Sequence, residues 1–422
     1  YRGEIVRTGL SIMETLLFID GVWRPARSGL TIPVLDPATG SVCGAVAQAG
    51  SEEVEAAAMG AWSTFEHWRD VPVLERSAIL RRAAVLVRER SASIAHALTL
   101  ENGKPLAQAH DEIEAAAEAI EWFAEEGRRA YGRIIPSRNI AVRQATIRQP
   151  IGPVAAFAPW NFPLGQSVKK IAAALAAGCT IVLKGPEETP ASIACLVSAF
   201  HDAWLPAGAL QLLFGVPAEV SAQLIPHPAI RKISFTGSTA VGKLLASLAG
   251  QHMKPTTMEL GGHAPAIVLD DADIEQAALS IAGGKFYNAG QVCVAPTRVL
   301  VQKRHHEHFT GLLVEHAKQL RLGSGFDAET TMGPLTNLRR LEAMERFVAD
   351  ATSKGAQPIA GGARHGNSGY FFAPTILTGC NLDMQAMHEE IFGPICLVAS
   401  FTDQEEALRE ANRLDFGLAA YV

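Results

Sequence analysis

The hydrophobic pattern changes period several times along the chain, and each change marks a change of element. Phe18-Ile-Asp-Gly-Val-Trp-Arg24 reads as a small hairpin with Asp20-Gly21 at its turn, and Asp36-Pro-Ala-Thr-Gly40 as a second turn. Ser51 then opens a helical run, with Glu53 and Glu55 in its first turn and apolar residues at helical spacing through Phe65. From Leu74 to Gly127 the pattern stays helical and rich in Ala, Glu and Arg, interrupted at Glu101-Asn-Gly-Lys-Pro105. Between Ile140 and Gln149 the period drops to two, which predicts a strand with one apolar face. Its place between two halves of a nucleotide-type domain allows an arm that pairs with another subunit, or an edge strand of the main sheet.

From Ile151 the chain alternates short apolar runs with helical ones. Strands are expected at Pro153–Ala158, Thr180–Lys184, Leu210–Phe214 and Ile230–Phe235, and helices at Gln166–Ala177, Pro190–Trp204 and Val220–Ile225. Fully apolar strands alternating with helices predict a parallel sheet covered on both faces, with ligands beyond the carboxyl ends of its strands. After Met258 a second α/β unit begins, with a strand at Ala266–Asp270 and a helix at Ile274–Ala282. A glycine-bearing turn, Gly284 to Arg298, follows and leads into the strand Arg298–Gln302.

Composition narrows the function. At 422 residues and 48% hydrophobic, the chain has material for two or three domains with large cores. A net charge of −6 with interspersed signs gives no footprint for nucleic acid or an anionic membrane, and no apolar run reaches spanning length. Six cysteines without regular spacing argue against a disulfide framework or structural zinc, and so for a reducing cytoplasm and no metal. Arg304-His-His-Glu-His308 has ligand chemistry but opens an amphipathic helix and reads as a solvated face. Met13 reads as a natural start, and residues 1–12 lack the apolar block of a signal peptide.

Cys293, in the turn between helix and strand, is the first candidate for chemistry. The turn's N–H groups would favour the thiolate that attacks carbonyls, although a lone cysteine is more often a buried structural residue. Four other segments keep it company: Phe157-Ala-Pro-Trp-Asn-Phe-Pro163, Phe235-Thr-Gly-Ser-Thr-Ala-Val-Gly242, Met258-Glu-Leu-Gly-Gly262 and His388-Glu-Glu-Ile-Phe-Gly-Pro394. With the Cys293 turn, these five motifs in this order resemble the NAD(P)-dependent aldehyde dehydrogenase superfamily. The resemblance runs from about Met13 to Val422 and is nearest to bacterial semialdehyde dehydrogenases acting on small acidic aldehydes.

The resemblance implies an α/β fold of three parts. Residues 13–128 and 150–258 would form a Rossmann-type NAD-binding domain, 129–149 a β oligomerisation arm, and 259–422 an α/β catalytic domain. It implies that Cys293 is the nucleophile, which forms a thiohemiacetal and, after hydride transfer to the nicotinamide, a thioester. Asn161 would hold the oxyanion together with the Cys293 main-chain N–H, and Glu259, in apolar company, would activate the water that releases the acid. Trp160, Lys184, Glu187, Gly237, Ser238, Gly242, Glu390 and Phe392 match cofactor-binding positions. Glu187 would accept from ribose hydroxyls and repel a 2′-phosphate, so NAD is favoured, with NADP the alternative. The partners implied are a small aldehyde and further copies of the chain in a homodimer or homotetramer.

Some residues depart from the pattern. The family's proline after the ribose-binding lysine is displaced by one in Lys184-Gly-Pro-Glu187. Lys169 and Tyr287 stand where succinate-semialdehyde dehydrogenases carry two arginines, so a longer, aromatic or less acidic aldehyde is equally compatible. The family's C-terminal tail, which lines the substrate tunnel and pairs strands between subunits, has no counterpart after Val422; a chain ending there is expected to have a more open site or a weaker oligomer. Two other activities stay open: transfer of the acyl group to coenzyme A, and a non-catalytic member of the fold.

Overall fold

The computed structural model describes residues 13–422. Its centre is a seven-stranded sheet in the order Thr256–Glu259, Lys232–Thr236, Val154–Phe157, Ile181–Lys184, Leu210–Leu213, Leu17–Ile19, Val22–Arg24. The first five strands are parallel, and the last two, the hairpin expected around Asp20-Gly21, run antiparallel along the edge. Asp20 and Gly21 both have positive φ, as a two-residue hairpin turn requires. The strand Val154–Phe157 comes first in sequence among the parallel five, and the chain later adds strands on both sides of it. Strand order therefore reverses beside it, the place where sheets of this kind take their ligands beyond the carboxyl ends of the strands.

A second sheet has the order Pro265–Val268, Arg298–Gln302, Ile395–Phe401, Thr375–Thr378, Gln357–Ala360, parallel except for the last strand. Each main sheet has its own apolar core: one is built around Val182, Leu183 and Phe200, the other around Val299, Phe309 and Val398. Among the described residues no helix is long and apolar enough to cross a membrane.

Local chemistry sets most element ends. Proline occupies the first turn of the helices Pro163–Ala176, Pro190–Asp202 and Pro217–Leu224, where its missing N–H costs nothing. The first of these therefore begins three residues before the expected Gln166. Ser238, Asp273 and Asn337 cap the helices Thr239–Gln251, Ile274–Phe286 and Leu338–Ser353 with side-chain oxygens.

Three expectations need correction. The run Leu74–Gly127 is three helices, Val73–Glu89, Ser91–Asn102 and Leu106–Gly127; the extra break at Arg90 has neither Gly nor Pro, and Arg90 is tied by an ion pair to Asp202. The alternation over 140–149 yields only the short strand Gln144–Thr146, which pairs with Arg133–Ile135 in a separate exposed hairpin and does not border the main sheet. Thr256–Glu259 is an edge strand that the periodicity did not suggest, because its first two residues face solvent.

Trp68 anchors the helical layer: it is fully buried, and its Nε1 donates to the carbonyl of Leu175 at 3.2 Å. Trp68→Ala should lower the unfolding free energy by about 3–5 kcal/mol, read as a shift of the urea midpoint; an unchanged midpoint would contradict this packing.

Candidate active site

The carboxyl ends of the parallel strands deliver the candidate residues. Val154–Phe157 runs into Ala158-Pro-Trp-Asn-Phe162, and the helix Pro163–Ala176 starts at once. Asn161 is buried, and its Nδ2 donates to the main-chain carbonyl of Gln291 at 3.0 Å. Gln291 is two residues before Cys293, so the amide lies against the cysteine turn. Asn288 returns the link, its Nδ2 donating to the Asn161 carbonyl at 2.9 Å.

The helix before the cysteine ends at Phe286, and a short 3-10 turn, Tyr287–Gly290, follows. Asn288, Ala289 and Gly290 all have positive φ. Only glycine fits the last position, where a Cβ would lie 2.2 Å from the Gly393 carbonyl oxygen. The other flank of the cysteine is equally close: a Cβ on Gly262 would meet the Cys293 carbonyl oxygen at 2.4 Å. The cysteine loop is thus pressed between two glycine-permitted contacts and leaves the thiol half-buried.

Burial, then the nearby carboxylates of Glu259 and Glu390, push the Cys293 thiol above its ordinary value; its own main-chain N–H and Lys169 pull the other way and are outweighed. The turn does not, by itself, make the thiolate that the sequence suggested. Glu259 ends the edge strand and is half-buried, its main-chain carbonyl accepting from Gly237 N–H at 3.1 Å. Glu390 accepts from Gly262 N–H at 3.1 Å and is held above the usual carboxylate range by burial, against the opposing pull of that N–H, Arg340 and Lys285.

A second group of candidate residues gathers at the neighbouring strand ends. Gly237 and Ser238 lead into the helix Thr239–Gln251, and Ser238 caps it by accepting from Val241 N–H at 3.4 Å. A Cβ on Gly237 would strike the Phe235 ring at 2.5 Å, and one on Gly242 would strike Leu260 at 2.3 Å. The N–H groups of this helix N-terminus that Ser238 leaves unpaired suit a pyrophosphate. At the next strand end Lys184 and Glu187 form an ion pair, and Glu187 also accepts from Gly215 N–H at 3.2 Å. Phe392, at φ 48°, meets the Trp160 ring edge-on with centroids 5.5 Å apart. These groups fit a dinucleotide from its adenine ribose to its nicotinamide.

At the outer side, the Tyr287 and Phe162 rings lie parallel within 7°, centroids 6.2 Å apart. Burial, then Asp111 and Glu112, push the Tyr287 phenol up to about 12, so it stays a neutral donor. Lys169 is exposed on the helix Pro163–Ala176, close enough for its charge to reach Cys293.

The aldehyde dehydrogenase family model matches residues 23–422. The chain belongs to the aldehyde dehydrogenase family. It is 46% identical over 406 residues to a 4-(hydroxymethyl)benzenesulfonate dehydrogenase of Comamonas testosteroni, covering 96% of this chain and 84% of that protein. A succinate-semialdehyde dehydrogenase from Burkholderia pseudomallei superposes with a TM-score of 0.95 at 42% identity, covering 97% of this chain and 85% of that one. The NAD+ complex of a Bacillus cereus aldehyde dehydrogenase superposes at 0.94 with 38% identity, covering 96% and 83%. The activity is therefore the NAD(P)-dependent oxidation of an aldehyde to its acid.

This aldehyde dehydrogenase also holds site residues that sequence reading passed over. Lys170, beside the exposed Lys169, is buried; its Nζ donates to Thr236 Oγ1 at 2.7 Å and Ser234 Oγ at 3.3 Å. Burial brings it down to about 8 against the opposing charge of Glu259. Arg340 donates to the Ile391 carbonyl and lies 5.8 Å from the centroid of the Phe392 ring, supporting that residue's left-handed backbone. Gln291 is fully buried; its Oε1 accepts from Thr336 N–H at 2.9 Å, and its Nε2 donates to the Asn288 carbonyl at 3.0 Å. For Lys170 and Gln291 the only sequence signal was a polar residue inside an otherwise apolar or glycine-bearing stretch; Arg340, in a charged helical run, had none. Among the described residues, no group of three His, Cys, Asp or Glu side chains gathers as a metal site, and Arg304 is paired with Asp270.

The raised thiol has a measurable consequence. In the cofactor-free enzyme, alkylation of Cys293 by iodoacetamide should keep rising about tenfold per pH unit from 7 to 9. Glu259→Gln removes a negative neighbour and should move that curve to lower pH. A plateau below pH 8 in the parent enzyme, followed by mass spectrometry, would contradict this electrostatic reading.

Proposed function

We propose that Cys293, Asn161 and Glu259 carry the oxidation, with Cys293 as nucleophile. The thiol proton passes to solvent as sulfur bonds to the aldehyde carbon. The resulting oxyanion is held by Asn161 Nδ2 and the Cys293 main-chain N–H, and one such donor is worth about 3 kcal/mol in the transition state. NAD, bound on the Gly237–Gly242 turn with its ribose at Glu187, supplies the hydride acceptor. Cys293 is left as a thioester, against which Glu259 activates water, and the acid departs as the thiol is restored. The observation that carries this reading is the 3.0 Å bond from Asn161 Nδ2 to the Gln291 carbonyl, which fixes the amide beside the cysteine turn. NAD is preferred because Glu187 presents a carboxylate to the ribose, although its pairing with Lys184 tempers repulsion of a 2′-phosphate.

The aldehyde we infer is anionic at its far end, and an aromatic one fits well. The Phe162–Tyr287 pair offers flat apolar walls, Lys169 a cation and Tyr287 a neutral hydroxyl. The benzenesulfonate in the name of the Comamonas relative supports the same class. Assembly would run through the hairpin Arg133–Ile135 and Gln144–Thr146, around which Ile134, Ile140 and Ile147 are 87%, 94% and 74% exposed. Such apolar exposure on an unpaired edge favours pairing with a second copy, as a homodimer or homotetramer. A cytoplasmic setting suits a thiol nucleophile that must stay reduced.

Two measurements test this reading. Cys293→Ala should form no NADH, while Glu259→Gln should give a single-turnover NADH burst followed by slow turnover; NADH formation by Cys293→Ala at the parent rate would sink the mechanism. For the substrate, Lys169→Met should lower kcat/KM for 4-formylbenzenesulfonate about tenfold, or ~1.4 kcal/mol, and leave benzaldehyde unchanged. Equal losses for both aldehydes would remove Lys169 from anion recognition.

A further inference from the structure

The break between the helices Ser91–Asn102 and Leu106–Gly127 holds the site from behind. Lys104 lies in it with a side chain that is 0% exposed, yet it carries a charge that the oxidation does not use. Its Nζ donates to the Glu112 carboxylate and to the main-chain carbonyl of Asn161, the latter at 3.0 Å. It also sits 4.3 Å from the centroid of the Phe162 ring. Glu112, 2% exposed, uses its other oxygen to accept from Leu164 N–H at 2.9 Å and Gly165 N–H at 3.1 Å, the first turn of the helix after Asn161. Asn102, two residues earlier, donates from Nδ2 to the Trp160 carbonyl at 2.9 Å. The carbonyls of Trp160 and Asn161, the ring of Phe162 and the N–H groups of 164 and 165 are thus all held from this break and the helix after it.

A buried ion pair is a poor stabiliser compared with apolar side chains of the same volume, so its presence calls for another account. Its bonds converge on one short segment, and that segment carries the oxyanion donor. Lys104 also neutralises a carboxylate that would otherwise put an unpaired negative charge next to the place where the substrate oxygen becomes negative. We propose that Lys104, paired with Glu112, is a positioning residue for the oxidation, setting the place of the Asn161 amide and cancelling the Glu112 charge behind it. The inference rests on the reading of Asn161 as oxyanion donor. Burial lowers the Lys104 ammonium from its ordinary value, and Glu112 opposes that shift, as a pair whose charge depends on its partner should behave.

The test is the pre-steady-state NADH burst in Lys104→Met, Asn161→Ala and the double variant, with NAD affinity and thermal unfolding measured beside it. Lys104→Met should slow the burst at least about tenfold, with the Kd for NAD within about threefold of the parent. In the Asn161→Ala background the same change should slow it by less than about threefold, because the two residues act as one unit. A purely structural role would give losses that multiply. Should Lys104→Met fail to fold, Glu112→Gln, which keeps the size and the acceptor for 164 and 165, should slow the burst in the parent and not in Asn161→Ala. A normal burst in Lys104→Met, or in Glu112→Gln where it stands in, beside a lost one in Asn161→Ala overturns this inference alone, as do multiplying losses. A normal burst in Asn161→Ala overturns the oxyanion assignment and this inference with it.

Discussion

The hydrogen bond from Asn161 Nδ2 to the Gln291 carbonyl joins the two α/β units at the point where the chemistry is proposed. One partner follows the strand Val154–Phe157 of the seven-stranded sheet, and the other precedes the cysteine that leads into the second sheet. Neither side could be held by its local sequence alone. The cysteine loop contains three consecutive left-handed residues, two of them not glycine, and each such residue costs about 1–2 kcal/mol unless its surroundings enforce it. Asn288, Gln291 and Thr336 supply that enforcement through buried hydrogen bonds. An amide prearranged beside the nucleophile reorganises little as charge develops, which makes such a donor effective.

The electrostatics of the resting site work against spontaneous reactivity. Two carboxylates, Glu259 and Glu390, reach a half-buried thiol, and both favour its protonated form. The free enzyme thus carries a guarded cysteine rather than a standing thiolate, and attack requires the proton to leave as the bond forms. Glu259 is proposed to act later, on the water that releases the acid, while Glu390 is engaged by the Gly262 N–H and faces Arg340 and Lys285. On that reading, the pair of acids that restrains the thiol divides into a base for water and a carboxylate held in place by the Gly262 N–H.

Much of this architecture was legible in the sequence, for identifiable reasons. Buried parallel strands read as short, mostly apolar runs, so Val154–Phe157, Ile181–Lys184 and Leu210–Leu213 stood out. Short motifs at strand ends marked Asn161, Gly237 and Cys293, because turns with glycine or proline are local signals. What escaped was set by distant partners. The break at Arg90 has no breaker residue, and the edge strand Thr256–Glu259 is held by its neighbour rather than by its own pattern. Lys104 and Glu112 stand in a run rich in charged residues with nothing local to single them out; only the packing of helix on helix turns them inward. The Cys293 main-chain N–H does favour the thiolate, as the turn suggested, but burial and the two carboxylates, which come from distant segments, outweigh it.

The central claim is that the Asn161 amide, fixed against the cysteine turn, is where the substrate oxygen sits. A crystal structure of the Glu259→Gln enzyme trapped as its Cys293 thioester tests it most directly. The thioester oxygen should lie within about 3 Å of both Asn161 Nδ2 and the Cys293 main-chain nitrogen. A thioester whose oxygen points away from Asn161, with the amide still bonded to Gln291, would contradict it.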